Sequence, residues 1–223
     1  MLDASKRGQL CYKGAYSKAD LLAVAQRLYN NPSLQFRVPG QRNGIVAIMG
    51  PQPAEQVVLV LGTGSSKTLP VMIGSTMSDA TTTILILPIV ALWANILRRF
   101  YTISIRYLVW SVDCKQTASL VIVSAEAACS QSFLEYAHIL VSKQKLDRIM
   151  LDECHLTITA SDWYVRQVRT QTVWLTATLP PVIQEEFIEH NKLVQPRIID
   201  EPTKYQVYSQ LGSWVWHFDR ESG

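Results

Sequence analysis

Charge is scarce in this sequence. Only 17% of its 223 residues are charged, against 48% apolar. A disordered chain needs the opposite balance, so a packed core is expected, in one sizeable domain with at most a small appendage. The net charge of +3 suits a nucleic-acid partner without demanding one. Cysteines are few and scattered. Cys11, Cys114, Cys129 and Cys154 form no C-x-x-C pair, and His138, His155, His190 and His217 show no metal-ligand spacing. That argues against zinc and for free thiols in a reducing compartment. No long apolar run is present either. The longest, Ile84 to Ala94, contains Pro88 and is well short of the about 20 residues that span a bilayer. The first residues lack the apolar core of a signal peptide, and neither a repeat nor a low-complexity segment occurs. No membrane partner is expected.

What the sequence does have begins at Val57. Five apolar residues, Val57 to Leu61, run straight into Gly62, Thr63, Gly64, Ser65, Ser66, Lys67 and Thr68. A buried strand followed by a small-residue loop ending in Lys-Thr reads as a phosphate-binding loop. Small residues let backbone N–H groups approach phosphate oxygens, and the helix that follows favours an anion at its N-terminus. Lys67 would meet the β- and γ-phosphates, and the Thr68 hydroxyl would hold Mg²⁺. Against G-x-x-x-x-G-K-[ST], Leu61 and Ser66 stand where glycines are usual. A plain Gly/Ser turn would look the same in isolation. Downstream, the apolar run Ile149 to Leu151 ends in Asp152-Glu153-Cys154-His155. An Asp at a strand end can hold Mg²⁺, and the adjacent Glu can orient or deprotonate a water. An isolated acid pair is usually a solvated turn; the loop upstream favours the functional reading.

In chain order, Ser17 to Asp20 forms a capping box for a helix with Leu21, Leu22, Val24, Ala25 and Leu28 towards a core, stopped at Asn30-Asn31-Pro32. Gln41 is placed as an exposed side chain, either plain solvated surface, as most glutamines are, or an amide that offers an adenine both donor and acceptor. After the loop, a short helix reaches about Met77. A fully buried strand covers Ile84 to Leu87, and a helix covers Val90 to Phe100. Arg98-Arg99 at its end is either a helix-dipole complement or a phosphate contact. Further strands are expected at Ile103 to Trp110, Leu120 to Val123, Ile149 to Leu151 and Thr172 to Leu175. Helices are expected at Glu126 to Val141 and, opened by Pro180-Pro181, at Val182 to His190. Strands alternating with helices predict an α/β fold, a mainly parallel sheet covered by helices on both faces. Ligands then sit at the carboxyl ends of the strands.

Assembled, these residues resemble superfamily 2 helicases, and most closely RecQ-like DNA helicases of the fungal type. Phe36, Arg37 and Gln41 look like the adenine-reading motif, one residue looser than usual. Gly62, Thr63, Gly64, Ser65, Ser66, Lys67 and Thr68 look like motif I, with Ser66 departing from Gly. Leu87-Pro88 and the residues after it look like motif Ia, and Ser124 with Glu126 like the next DNA-contacting motif. Asp152 to His155 resembles the DExH box, and Thr176-Ala177-Thr178 motif III. The resemblance implies a RecA-like P-loop NTPase domain over residues 34–202, a helical segment before it (1–33) and a divergent tail after it (203–223). It implies ATP and Mg²⁺ as cofactors, the metal on Thr68 and Asp152. Lys67, Asp152 and Glu153 would carry the chemistry. Gln41 and residues 63–68 would hold the nucleotide. His155, Thr176 and Thr178 would couple it to DNA, and Pro88, Ser124 and Glu126 would touch nucleic acid, single-stranded or duplex. It also implies a nuclear protein. Trp163, Tyr164 and Arg166 fall where such helicases carry an aromatic DNA-sensing loop, but packing is the favoured reading.

Helicases of this class place ATP between two RecA-like domains, and the second supplies an arginine finger worth roughly 10³–10⁵ in rate. The stretch after Pro202, with Trp214, Trp216 and Phe218, is too short for that domain. Weak hydrolysis alone is therefore expected, with a second RecA-like domain or a full-length helicase as partner. The alternative is a non-catalytic nucleotide- or DNA-binding module or helicase remnant. A P-loop kinase or transporter ATPase fits the Asp152 to His155 motif poorly.

Overall fold

The computed structural model describes residues 16–62, 64–88, 93–113, 116–159 and 167–201. Seven strands form one sheet in the order β3-β4-β2-β5-β6-β1-β7, every neighbouring pair parallel. They are β1 (Gln56–Val60), β2 (Thr83–Leu87), β3 (Leu108–Val109), β4 (Leu120–Ser124), β5 (Arg148–Leu151), β6 (Gln171–Thr176) and β7 (Arg197–Asp200). The interior strands are continuous apolar runs because both their faces are covered. Leu59, Leu85 and Leu175 pack with helices α1 (Lys18–Leu28), α2 (Pro39–Met49), α3 (Leu69–Thr76) and α4 (Trp93–Thr102). Val60, Ile86 and Trp174 pack on the other side with α5 (Ala125–Ala128), α6 (Gln131–Ser142) and α7 (Pro181–His190). Trp174 meets Phe187 of α7 edge-to-face at 5.7 Å. Among the described residues, no helix is long and apolar enough to cross a membrane.

The capping box forms. Asp20 N donates to Ser17 Oγ (3.2 Å) and Ser17 N to Asp20 Oδ2 (2.9 Å). Leu21, Val24 and Ala25 of α1 are buried in the same core as α3.

Two expected elements change. The strand predicted over Ile103 to Trp110 shrinks to Leu108–Val109. The preceding residues terminate α4: Ser104 adopts φ 57°, and Ile105 N closes onto Phe100 O at 2.9 Å. The helix predicted over Glu126 to Val141 is two helices. Ser124 Oγ caps α5 through Ala127 N (3.1 Å), and Ser130 Oγ starts α6 through Phe133 N (3.2 Å). Among the described residues, three elements carried no expectation: α2, β7 and a 3₁₀ helix, Cys154–Thr159. Helix α2 was masked by its glycines. Gly44 is there for closeness: a Cβ on it would lie 2.6 Å from Leu59 Cδ1 of β1.

Candidate nucleotide site at the carboxyl edge of the sheet

Parallel strands bring all their carboxyl ends to one edge. Five neighbours, β4-β2-β5-β6-β1, end there in Ser124, Pro88, Asp152, Thr176 and the Gly62 to Thr68 loop. The register is held past the strands themselves. Leu61 N donates to Thr176 O (3.0 Å) and Asp152 N to Ile86 O (3.0 Å). The acids and the loop are thus aimed by the sheet rather than by free loops.

The loop turns through left-handed backbone at Gly64 (φ 85°) and Ser66 (φ 53°). Leu69 N then donates to Ser66 O at 2.9 Å, starting α3 with Thr68 as its N-cap residue. Thr68 is buried. Thr63 lies outside the described residues. From the loop, Lys67 reaches across the end of β6 to the end of β5. Its Nζ stands 2.9 Å from Glu153 Oε1, both side chains largely shielded from solvent.

Glu153 itself has φ 48°, and its N–H donates to Asp152 Oδ1 at 3.0 Å. Burial raises the Asp152 carboxyl above the usual range. Lys67 opposes that shift and the Glu153 charge adds to it. Burial also pushes the Cys154 thiol well up, with Asp152 and Glu153 adding to the effect. His155 joins the acid box to the next strand. Its Nδ1 lies 3.0 Å from Thr176 Oγ1 and 3.5 Å from Glu153 Oε2. The Thr176 hydroxyl donates to Thr178 O (2.9 Å), so it accepts from His155 Nδ1–H, which fixes the tautomer. Lys67, Glu153, His155, Thr176 and Thr178 form one connected chain of contacts.

Gln41 requires a correction. It is not an exposed side chain but 1% exposed, near the start of α2. Its amide serves the protein: Oε1 accepts from Arg37 N (2.8 Å) and Nε2 donates to Ser65 O (2.8 Å). Arg37 Nη1 donates to Gly64 O at 2.7 Å. These two residues, Gln41 in α2 and Arg37 just before it, clamp the loop. A cavity of about 570 Å³ opens beside it, lined by Arg37, Lys67, Thr68 and Asp152 and, from α4, by Arg98 and Arg99. The arginine pair that read equally as dipole complement or phosphate contact stands on the cavity wall. Glu201, which no motif singles out, also reaches this edge: its Oε2 accepts from Gly40 N at 2.5 Å. Of the expected nucleic-acid residues, Pro88 is half-buried, Glu126 is exposed and the Ser124 hydroxyl caps α5. Trp163, Tyr164, Arg166 and the aromatics after Pro202 lie outside the described residues.

Residues 54–192 match the Flavivirus DEAD domain family. The chain belongs to that family. It is a helicase-like domain, and its seven-stranded parallel sheet has the RecA-like fold of helicase motor domains. Solved structures agree on the fold. The DUF1998 helicase MrfA bound to DNA and AMPPNP superposes with a TM-score of 0.62 at 15% identity, over 87% of this chain and 31% of that one. The UvsW helicase from bacteriophage T4 gives 0.58 at 14%, over 85% and 69%. S. cerevisiae Dbp5 bound to RNA and ADP BeF₃ gives 0.58 at 12%, over 87% and 52%. This DEAD domain thus spans about a third of the length of MrfA. No curated protein matches it in sequence.

Proposed function

We propose that this DEAD domain, over residues 34–202, is the ATP-binding motor domain of a RecQ-like DNA helicase, working on DNA in the nucleus. The observation that carries the proposal is the Lys67–Glu153 pair at 2.9 Å, which joins a phosphate-type loop to a strand-end acid box. The similar helicases, solved with DNA or RNA and with AMPPNP or ADP BeF₃, support nucleotide and nucleic-acid binding here.

On this reading, residues 63–68 and Lys67 hold the triphosphate, and Arg37 and Gln41 keep the loop in shape. Glu153 orients the attacking water and takes its proton. Lys67 moves from Glu153 to the phosphates when nucleotide enters, freeing the carboxylate as a base. His155, Thr176 and Thr178 pass the change to the DNA-contacting edge, where Pro88, Ser124 and Glu126 lie. Thr68 and Asp152 offer a hydroxyl and a carboxylate on one cavity, a hard-oxygen pair of the kind Mg²⁺ uses beside phosphates. Mg²⁺ there would offset charge on the β- and γ-phosphate oxygens. The raised Asp152 carboxyl fits that role, since a cation would favour its ionised form. A second RecA-like domain, or a full-length helicase, is the expected partner for fast turnover.

The test is ATP hydrolysis and binding by the purified chain, with and without single-stranded DNA, beside Lys67→Ala and Glu153→Gln. Slow turnover that rises with DNA and is lost in both variants supports the proposal. Turnover unchanged in Glu153→Gln marks the activity as a contaminant. Ser66, a side chain carried at φ 53°, favours the second reading, a nucleotide-binding module without catalysis. Binding lost in Lys67→Ala with no turnover in the parent chain would select it.

A further inference from the structure

We infer that Glu201 is a positioning residue for the nucleotide site, tying the end of β7 to the phosphate loop. The inference rests on the reading of residues 62–68 as that loop.

Helix α2 lacks a cap of its own. Its N-cap residue, Val38, makes no side-chain bond, and its first turn holds no acid. A helix start left this way exposes unpaired N–H groups and favours a nearby anion. Glu201 supplies both acceptor and charge from a distant part of the chain, through the 2.5 Å bond from Gly40 N. The fit is tight. A Cβ on Gly40 would stand 2.6 Å from Glu201 Oε2 and 2.7 Å from Glu201 Cβ, so only glycine admits this carboxylate.

The next residue of α2 is Gln41, which holds Ser65 O, while Arg37 holds Gly64 O. The backbone of Glu201 is pinned as well: its N–H donates to Val60 O at 3.0 Å. Val60 ends the strand that launches the loop. The bonds therefore close a ring, from Val60 to Glu201, to Gly40 and Gln41, to Ser65, and back along the chain to Val60. A displacement at Glu201 cannot leave the loop unchanged without breaking one of those bonds. In this way the residue that leaves the sheet after β7 sets the shape of the loop that would hold phosphate.

The experiment uses the full chain and the variants Glu201→Ala, Glu201→Gln, Gly40→Ala and Glu201→Ala/Gly40→Ala, with Lys67→Ala as the control for nucleotide binding. Affinity for a fluorescent ATP analogue and amide hydrogen exchange over residues 37–45 and 62–68 are read at a temperature where every variant is folded. Glu201→Ala is expected to weaken binding about tenfold and to speed exchange in both segments. Glu201→Gln keeps an acceptor for Gly40 N and is expected to recover most of the loss. Gly40→Ala should copy Glu201→Ala, and the double variant should be no worse than either, because both break one link. A lowered melting temperature with unchanged affinity and unchanged loop exchange in Glu201→Ala would reduce the residue to a structural cap and overturn the inference. Additive losses in the double variant would overturn it too. If Lys67→Ala binds as well as the parent chain, the nucleotide reading fails instead. The exchange data then decide alone: faster loop exchange in Glu201→Ala keeps the link, and unchanged exchange removes it.

Discussion

Ser66 is held in left-handed backbone at φ 53°, in the loop position where glycine is usual. An L-residue there costs roughly 1–2 kcal/mol, which glycine avoids. Glycine in turn costs about 0.5–1 kcal/mol in unfolded-chain entropy. The balance for Ser66→Gly is a gain of about 0.5–1 kcal/mol. For a domain of this size, that is a melting temperature higher by about 1–4 °C. Ser66→Ala keeps the backbone cost and should stay within about 0.5 kcal/mol of the parent. Ser66→Val adds a β-branch to a left-handed position and should fall below both. The assay is thermal unfolding of all four chains by circular dichroism, followed by ATP-analogue titration. Removing the Cβ also lets the backbone approach phosphate more closely, so Ser66→Gly should bind nucleotide more tightly. Equal melting temperatures for Gly, Ala and Val would mean that the loop is not left-handed at Ser66 in solution. Ser66 would then carry no backbone strain for glycine to relieve.

Three further outcomes are expected. Asp152 holds its proton beyond the pH at which the unfolded chain releases it, because it is buried. Its stabilising contribution is therefore complete below the ordinary carboxylate range and is lost as pH rises through the raised folded value. Asp152→Asn should melt higher than the parent near neutral pH and show less decline from acid to neutral, measured by unfolding across that range. Arg98→Ala/Arg99→Ala removes two cations from the cavity wall. It should weaken binding of the ATP analogue more than that of adenosine and flatten the salt dependence, as titrations at low and high salt will read. Gly44→Ala drives a methyl group to within 2.6 Å of Leu59. It should cost about 1–3 kcal/mol in denaturant unfolding, and no loss would mean that α2 can shift on the sheet.

The elements that hold the site were legible because burial on both faces leaves a plain signature. Strands such as β2 read as short apolar runs with a breaker behind them, and the polar residues that follow are by topology at the ligand edge. Lys67, Asp152, Glu153, His155 and Thr176 could be placed together from that logic, and the structure brings them within contact. What was not legible depends on partners distant in sequence. Helix α2 carried no expectation, because its proline and glycines interrupt any helical pattern, yet Gly40 and Gly44 are there so that Glu201 and β1 can come close. Gln41 read as a solvated side chain, since nothing local reveals that Arg37 and Ser65 bracket its amide. The break in the Glu126 to Val141 segment was written in Ser130, but a serine inside an amphipathic pattern is weak punctuation until its cap bond is seen. Strand β7 is half-exposed at the sheet edge and lacks the apolar run that revealed its neighbours.

The strand order bears on how the molecule is made. Strand β1 pairs only with β6 and β7, which come after Gln171 and Arg197, whereas β2 finds β4 and β5 earlier. During synthesis, the apolar segment Val57 to Leu61 has only the helices before it to pack on until β6, from Gln171, leaves the ribosome and gives it a strand to pair with. Such late pairing slows folding and leaves a sticky segment open meanwhile. Fragments that stop before Gln171 should therefore aggregate through this segment. The phosphate-type loop, hung from the end of β1, would be among the last parts of the domain to take shape.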